Sequence, residues 1–167
     1  VGGLWATVSR SLFGKDKVAS DLVFFIVPQM RGQCSPALRE IMENYQKWSP
    51  EVKELRLLTT GPFGEGSLVR QVRVDRGHKS ESNFRVIALD EKGSLAFNEV
   101  DDRYRCAYKL VSLADDPQKT VVDFSFEFPV LEKFLRPFEK LVRIAVQEGA
   151  TQNLQNLKRF AEATLRS

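Results

Sequence analysis

With one histidine and two cysteines, the chain has little of what metal and imidazole chemistry needs. A single histidine rules out a His-rich metal site and any mechanism that uses two imidazoles. Cys34 and Cys106 lie far apart and form neither a zinc-ligand pattern nor a disulfide framework. Long apolar runs are missing too. The longest, Leu22-Val23-Phe24-Phe25-Ile26-Val27, is closed by Pro28, whereas a bilayer span needs ~18–20 residues. It is also too short and wrongly flanked for a signal-peptide core. Charge of one sign is lacking: 25 basic and 22 acidic residues are mixed along the chain for a net +3, which predicts no nucleic-acid partner. The first residue is Val1 rather than Met, which fits the loss of a transit peptide or simple trimming. A soluble protein of a reducing compartment is expected. That compartment is the cytoplasm, or an organelle matrix or stroma if a transit peptide has been cleaved.

Phenylalanine, in contrast, is plentiful: 12 residues beside 3 tyrosines. A chain of 167 residues is expected to form a single domain over 1–167 and to bury a proper core. Rough alternation over residues 4–12 reads as a strand. Ser20 and Asp21 read as N-caps of a short apolar helix ending before Pro28. Ser35-Pro36 opens a second helix whose apolar face is Leu38, Ile41, Met42 and Tyr45, ending near Trp48-Ser49-Pro50. From Val52 the period changes to two, and about six antiparallel strands follow. Residues 61–66 are a glycine turn and residues 90–93 a hairpin signal. Residues 75–83 read as a polar connection. The clearest strand is 120–128, with Val122, Phe124, Phe126 and Phe128 on one face. A long amphipathic helix from Pro137 towards Leu165 closes the chain, interrupted by Gly149. The Phe-rich face needs cover, and this helix is the natural cover.

Three stretches resemble the START-like (Bet v 1-like) superfamily, of polyketide cyclase/dehydrase and lipid-transport type, with its coenzyme Q-binding members. They are Tyr45-Gln46-Lys47-Trp48-Ser49-Pro50-Glu51-Val52, the glycine turn Gly61 to Gly66 running into Leu68-Val69-Arg70, and Phe126-Glu127-Phe128 followed by the rhythm Gly149, Leu154, Leu157, Lys158. The resemblance implies an α+β helix-grip fold. A curved antiparallel sheet wraps around a long C-terminal helix, with two short helices after the first strand. Residues 28–42 depart from the pattern and read as an insertion between those helices, at what the resemblance makes the cavity entrance.

The candidate ligand-binding residues are Phe97, Phe124, Phe126, Phe128, Phe138, Leu141 and Ala145 as apolar wall, with Arg70, Glu99 and Tyr108 as polar groups. By alternation Arg70 shares a face with Val72 and Val74, and Glu99 with Leu95 and Phe97. A charge on an apolar face needs a partner, so Arg70 with Glu99 is a possible pair, and Ser112 a milder hydrogen-bonding candidate. His78 reads as a solvated loop residue, Cys34 as an incidental loop thiol and Cys106 as small core. No catalytic residue, metal ligand or cofactor is expected. The basic residues Lys133, Arg136, Lys140, Arg143, Lys158 and Arg159 are interleaved with acids and read as a solvated helix face. Their alternative is contact with an anionic membrane surface or a partner protein. The expected function is non-catalytic binding or transport of a hydrophobic small molecule, such as a lipid, isoprenoid quinone, sterol or polyketide. Two alternatives stand beside it: an accessory subunit with a filled cavity, and a cyclase- or aromatase-like enzyme using Glu99, Arg70 and Tyr108.

Overall fold

The computed structural model describes residues 6–7, 17–25, 34–90, 93–112, 119–128 and 136–164. Strands β1 (Ala6–Thr7) and β2 (Lys17–Phe25) precede helices α1 (Cys34–Glu43) and α2 (Tyr45–Trp48). Then come β3 (Val52–Leu57), β4 (Leu68–Asp75), β5 (His78–Leu89), β6 (Ser94–Glu99), β7 (Arg105–Ser112) and β8 (Lys119–Glu127). A 3₁₀ turn (Arg136–Phe138) leads into helix α3 (Glu139–Thr164). The strands form one curved antiparallel sheet in the order β1-β2-β8-β7-β6-β5-β4-β3. This is the helix-grip arrangement expected from the sequence, with two short helices ahead of β3.

Two local expectations are corrected. The predicted helix after Ser20 is strand β2, paired with β8 from Lys17↔Glu127 to Phe25↔Lys119. Its β-branched and aromatic residues suit a pleated surface better than a helix, and the pairing uses every residue of both strands. Of the stretch 28–42 read as an insertion, 34–42 belong to α1, including Cys34, and 28–33 lie outside the described residues. The polar connection at 75–83 is the start of β5. Arg76 (φ 47°) and Gly77 (φ 84°) make a two-residue turn with positive φ at both positions, the geometry that matches strand twist. It sets Asp75 opposite His78 and Gln71 opposite Ser82. Of the predicted first strand, 6–7 is β1 and the rest lies outside the described residues, as does Leu165.

The α1 face is placed as its spacing predicts: Leu38, Ile41 and Met42 are buried. The helix breaks at Asn44, whose side-chain amide donates to the Glu40 carbonyl (2.9 Å), the local competition with the backbone for which asparagine is known. Tyr45 and Trp48 of α2 are buried, with ring centroids 4.3 Å apart. The indole Nε1 donates to the Ile41 carbonyl at 2.9 Å. On the inner face an aromatic row crosses four strands: Phe84, Phe97, Tyr108 and Phe124, with successive centroids 4.6, 6.4 and 4.7 Å apart. Such pairs add about 0.5–1.5 kcal/mol each beyond burial.

Helix α3 grips with its second half only. Ala150, Leu154 and Leu157 are buried, whereas Phe138 is 55% and Leu141 63% exposed. The first turns are exposed, and a space remains between the middle of α3 and the aromatic face. Among the described residues no helix is long and apolar enough to cross a membrane.

Candidate functional site

That space is a cavity of about 460 Å³, within the range of roughly 300–1,000 Å³ usual for small-molecule sites. Its floor is the inner face of β6, β7 and β8: Phe97, Cys106, Tyr108, Phe124 and Phe126. Its roof is α3, through Ala145, Val146, Gly149, Ala150, Asn153 and Leu154. Tyr45 and Trp48 of α2 close one end. Polar groups gather along β4, β5 and the loop after β6: Gln71, Arg73, Asp75, Ser80, Glu81, Ser82, Arg103 and Tyr104.

The structure brings Phe97, Tyr108, Phe124, Phe126 and Ala145 together on the cavity wall. Phe128 lies one step beyond, edge-on to Phe126 at 5.0 Å. Phe138, in the 3₁₀ turn, and Leu141, in the first turn of α3, lie ahead of Ala145 and are exposed. The other two polar candidates lie elsewhere and do not pair with each other. Arg70 is on the outer face, bonded to Glu81 at 2.8 Å and near Glu54 at 3.5 Å. Together with Lys79 it holds the Glu81 carboxyl down at about 2. Glu99 points inwards, as its alternation with Leu95 and Phe97 predicts, but it is consumed locally. Its carboxylate accepts from the backbone N–H groups of Asp101 (2.8 Å) and Arg103 (3.2 Å) and from Arg103 Nη2 (2.7 Å). His78 is exposed at the tip of the β4–β5 hairpin, and the Ser112 side chain lies outside the described residues.

Glu99 thus holds the loop that presents Arg103 and Tyr104 to the cavity. The Arg103 hydrogen bond pulls its carboxyl below the ordinary 4.5, burial opposing. A carboxyl depressed by folding contributes stability that is complete above the unfolded value and is lost as pH falls through the folded one. Glu99→Gln is expected to cost about 2 kcal/mol at neutral pH, because the bonds from two backbone amides lose their charged acceptor and the Arg103 guanidinium loses its counter-charge. The variant should also lose less stability than the parent on acidification below pH 4.5. Urea melts across pH 3–7 measure both effects.

The cavity's hydroxyl and thiol groups are neutral at ordinary pH. Burial raises the phenols of Tyr45 and Tyr108, with Arg73 pulling the other way. Burial pushes the Tyr104 phenol up to about 12, the Ser82 bond (3.0 Å) opposing. The Cys106 thiol, free and buried, is also pushed up by burial. These groups act as hydrogen-bond donors and not as bases, since proton transfer at neutral pH needs a group that titrates near it. Among the described residues no cluster of three His, Cys, Asp or Glu is placed to hold a metal ion.

Tyr45, Gln71, Arg73, Tyr104, Gly149 and Asn153 are cavity residues absent from the sequence-derived set. The signal for two of them is the turn at 76–77. It fixes Gln71 and Arg73 opposite Ser82 and Ser80, on the same face as Phe84, and so moves Arg70 outside.

Residues 36–162 match the family model described as polyketide cyclase/dehydrase and lipid transport. No curated protein matches significantly. Among solved structures, a protein of Thermus thermophilus is similar with TM-score 0.70 at 20% identity, over 89% of this chain and 98% of that one. A START superfamily protein from Mycobacterium smegmatis gives TM-score 0.69 at 15% identity, over 89% and 99%. The Zhui aromatase/cyclase from Streptomyces sp. R1128 gives 0.70 at 14%, over 90% and 96%. Identities this low speak for the fold alone.

Proposed function

The chain belongs to the polyketide cyclase/dehydrase and lipid transport family, and on that premise we propose that it binds and carries a hydrophobic small molecule without transforming it. The observation that carries this reading is the aromatic-walled cavity of about 460 Å³ beneath the middle of α3. Apolar ligand surface moved from water into it yields about 25 cal/mol per Å², before ordering costs. A water occupies about 30 Å³ of liquid, so the volume suits a ligand of roughly fifteen non-hydrogen atoms. A two-chain lipid or a long isoprenoid tail would have to protrude.

The cyclase reading draws no support from its three residues. Arg70 is outside the cavity, Glu99 is committed to its own loop, and burial works against ionisation of Tyr108. Phe138 of the 3₁₀ turn and Lys140 and Leu141 at the start of α3 are all exposed. They are the residues proposed to meet an anionic membrane surface or a partner protein during ligand exchange.

A polarity-sensitive naphthalene dye tests the reading. Saturable one-to-one binding with a blue-shifted emission, reversed by a medium-chain alcohol, is expected. Dye binding that is non-saturable or unaffected by the alcohol would count against an internal site.

A further inference from the structure

The polar end of the cavity contains an uncompensated cation. Arg73 lies on the inner face of β4, partly buried, opposite Ser80 and Val52. Among the described residues it has no ion pair and donates no hydrogen bond, although every other cavity charge close to it is engaged or exposed. Glu81 is bonded to Arg70 and Lys79, Arg103 to Glu99, and Asp75 is exposed at the strand end. The guanidinium is near enough to Tyr45, Tyr108 and Cys106 for its charge to be felt by all three. A guanidinium that lines a cavity without a partner favours an anionic group on the ligand. No carboxylate of the described residues pairs with it, although Asp75 and Glu81 line the same cavity.

We propose that Arg73 is the head-group recognition residue of the cavity, and that the ligand is an amphipathic organic carboxylate whose single negative charge meets this guanidinium. The proposal rests on the hydrophobic-carrier reading and sharpens it. The Tyr45 and Tyr108 phenols and the Gln71 amide line the same cavity and would share the second carboxylate oxygen. A phosphate carries more charge than one guanidinium balances, so the carboxylate is the better match. The apolar body of the ligand lies against Phe97, Phe124 and Phe126 under α3. Arg73 binds and does not react, so no bond is made or broken.

The test compares dodecanoate, its methyl ester and dodecanol by titration calorimetry with the full chain. The expected result is that the acid binds about ten- to a hundredfold tighter than the ester or alcohol, the scale of a charge-assisted hydrogen bond. Arg73→Met should erase that preference and leave ester and alcohol binding unchanged. Arg73→Lys should keep part of it, and guards against a folding defect in the methionine variant. Equal binding of acid and ester by the parent, or a preference that survives Arg73→Met, overturns the proposal and leaves the carrier reading intact. Binding of none of the three overturns both.

Discussion

Replacing Gly149 with leucine should stabilise the protein and weaken its hold on apolar ligands by about ten- to a hundredfold. The two halves of this expectation have separate physical causes. Glycine inside a helix costs about 1 kcal/mol against alanine and leucine almost none, so a gain of about 0.7 kcal/mol is expected unless the new side chain collides. A Cβ built at Gly149 meets nothing within 4 Å, so the first added atom enters open space. Yet Gly149 is in the cavity lining, on one α3 stripe with Ala145 and Asn153. A larger side chain here is expected to reach into the space proposed for the ligand. Four added carbons take a sizeable share of about 460 Å³, and overfilling a packed space costs about 1–3 kcal/mol, which gives the loss of affinity. Thermal melts and dodecanol titration measure the pair. A stabilised variant that binds as well as the parent would mean that ligands do not use this space.

Trp48→Ala should be the most damaging single substitution in the helical end of the core, costing about 3–5 kcal/mol. Trp48 is 2% exposed, packs on Tyr45 and donates to the Ile41 carbonyl. Its removal opens a void between α1, α2 and the sheet and orphans a buried carbonyl. For a chain of this size that corresponds to a fall in Tm of about 10 °C. Trp48→Phe separates the two causes: it refills part of the void but leaves the carbonyl unpaired, for about 1–3 kcal/mol. Urea unfolding reads both. A loss under 1 kcal/mol for the alanine variant would mean that α2 is not part of the cooperative core.

Much of this architecture is readable in the sequence, for reasons visible at particular residues. The strand at 119–127 and the burial of Leu38, Ile41, Met42 and Tyr45 follow from apolar period alone. So does the buried half of α3 at Ala150, Leu154 and Leu157. Periodicity fails where the face is decided by something else. In β2, Ser20 and Asp21 look like helix caps, but pairing with β8 along the whole strand decides. In β4 the row Leu68, Val72, Val74 looks like the inner face. Long neighbours such as Glu54, Arg70 and Glu81 explain it, since these side chains flank Val72 on the outer face and bury it there.

The same error of one residue governs the site. A strand's faces alternate, so choosing the wrong row in β4 exchanges Arg73 for Arg70. The apolar wall survives because Phe97, Tyr108, Phe124 and Phe126 lie in strands whose hydrophobic alternation is unambiguous. The outward position of Phe138 and Leu141 is not legible, because a helix stripe tells which residues align but not where the helix leaves the sheet.

Native mass spectrometry of the protein purified from its natural source, followed by organic extraction, tests the central claim most directly. One small apolar molecule per chain, of roughly fifteen non-hydrogen atoms and carrying a carboxylate, is the predicted result. A chain that carries nothing and takes up no dodecanoate, ester or alcohol when these are supplied would contradict it.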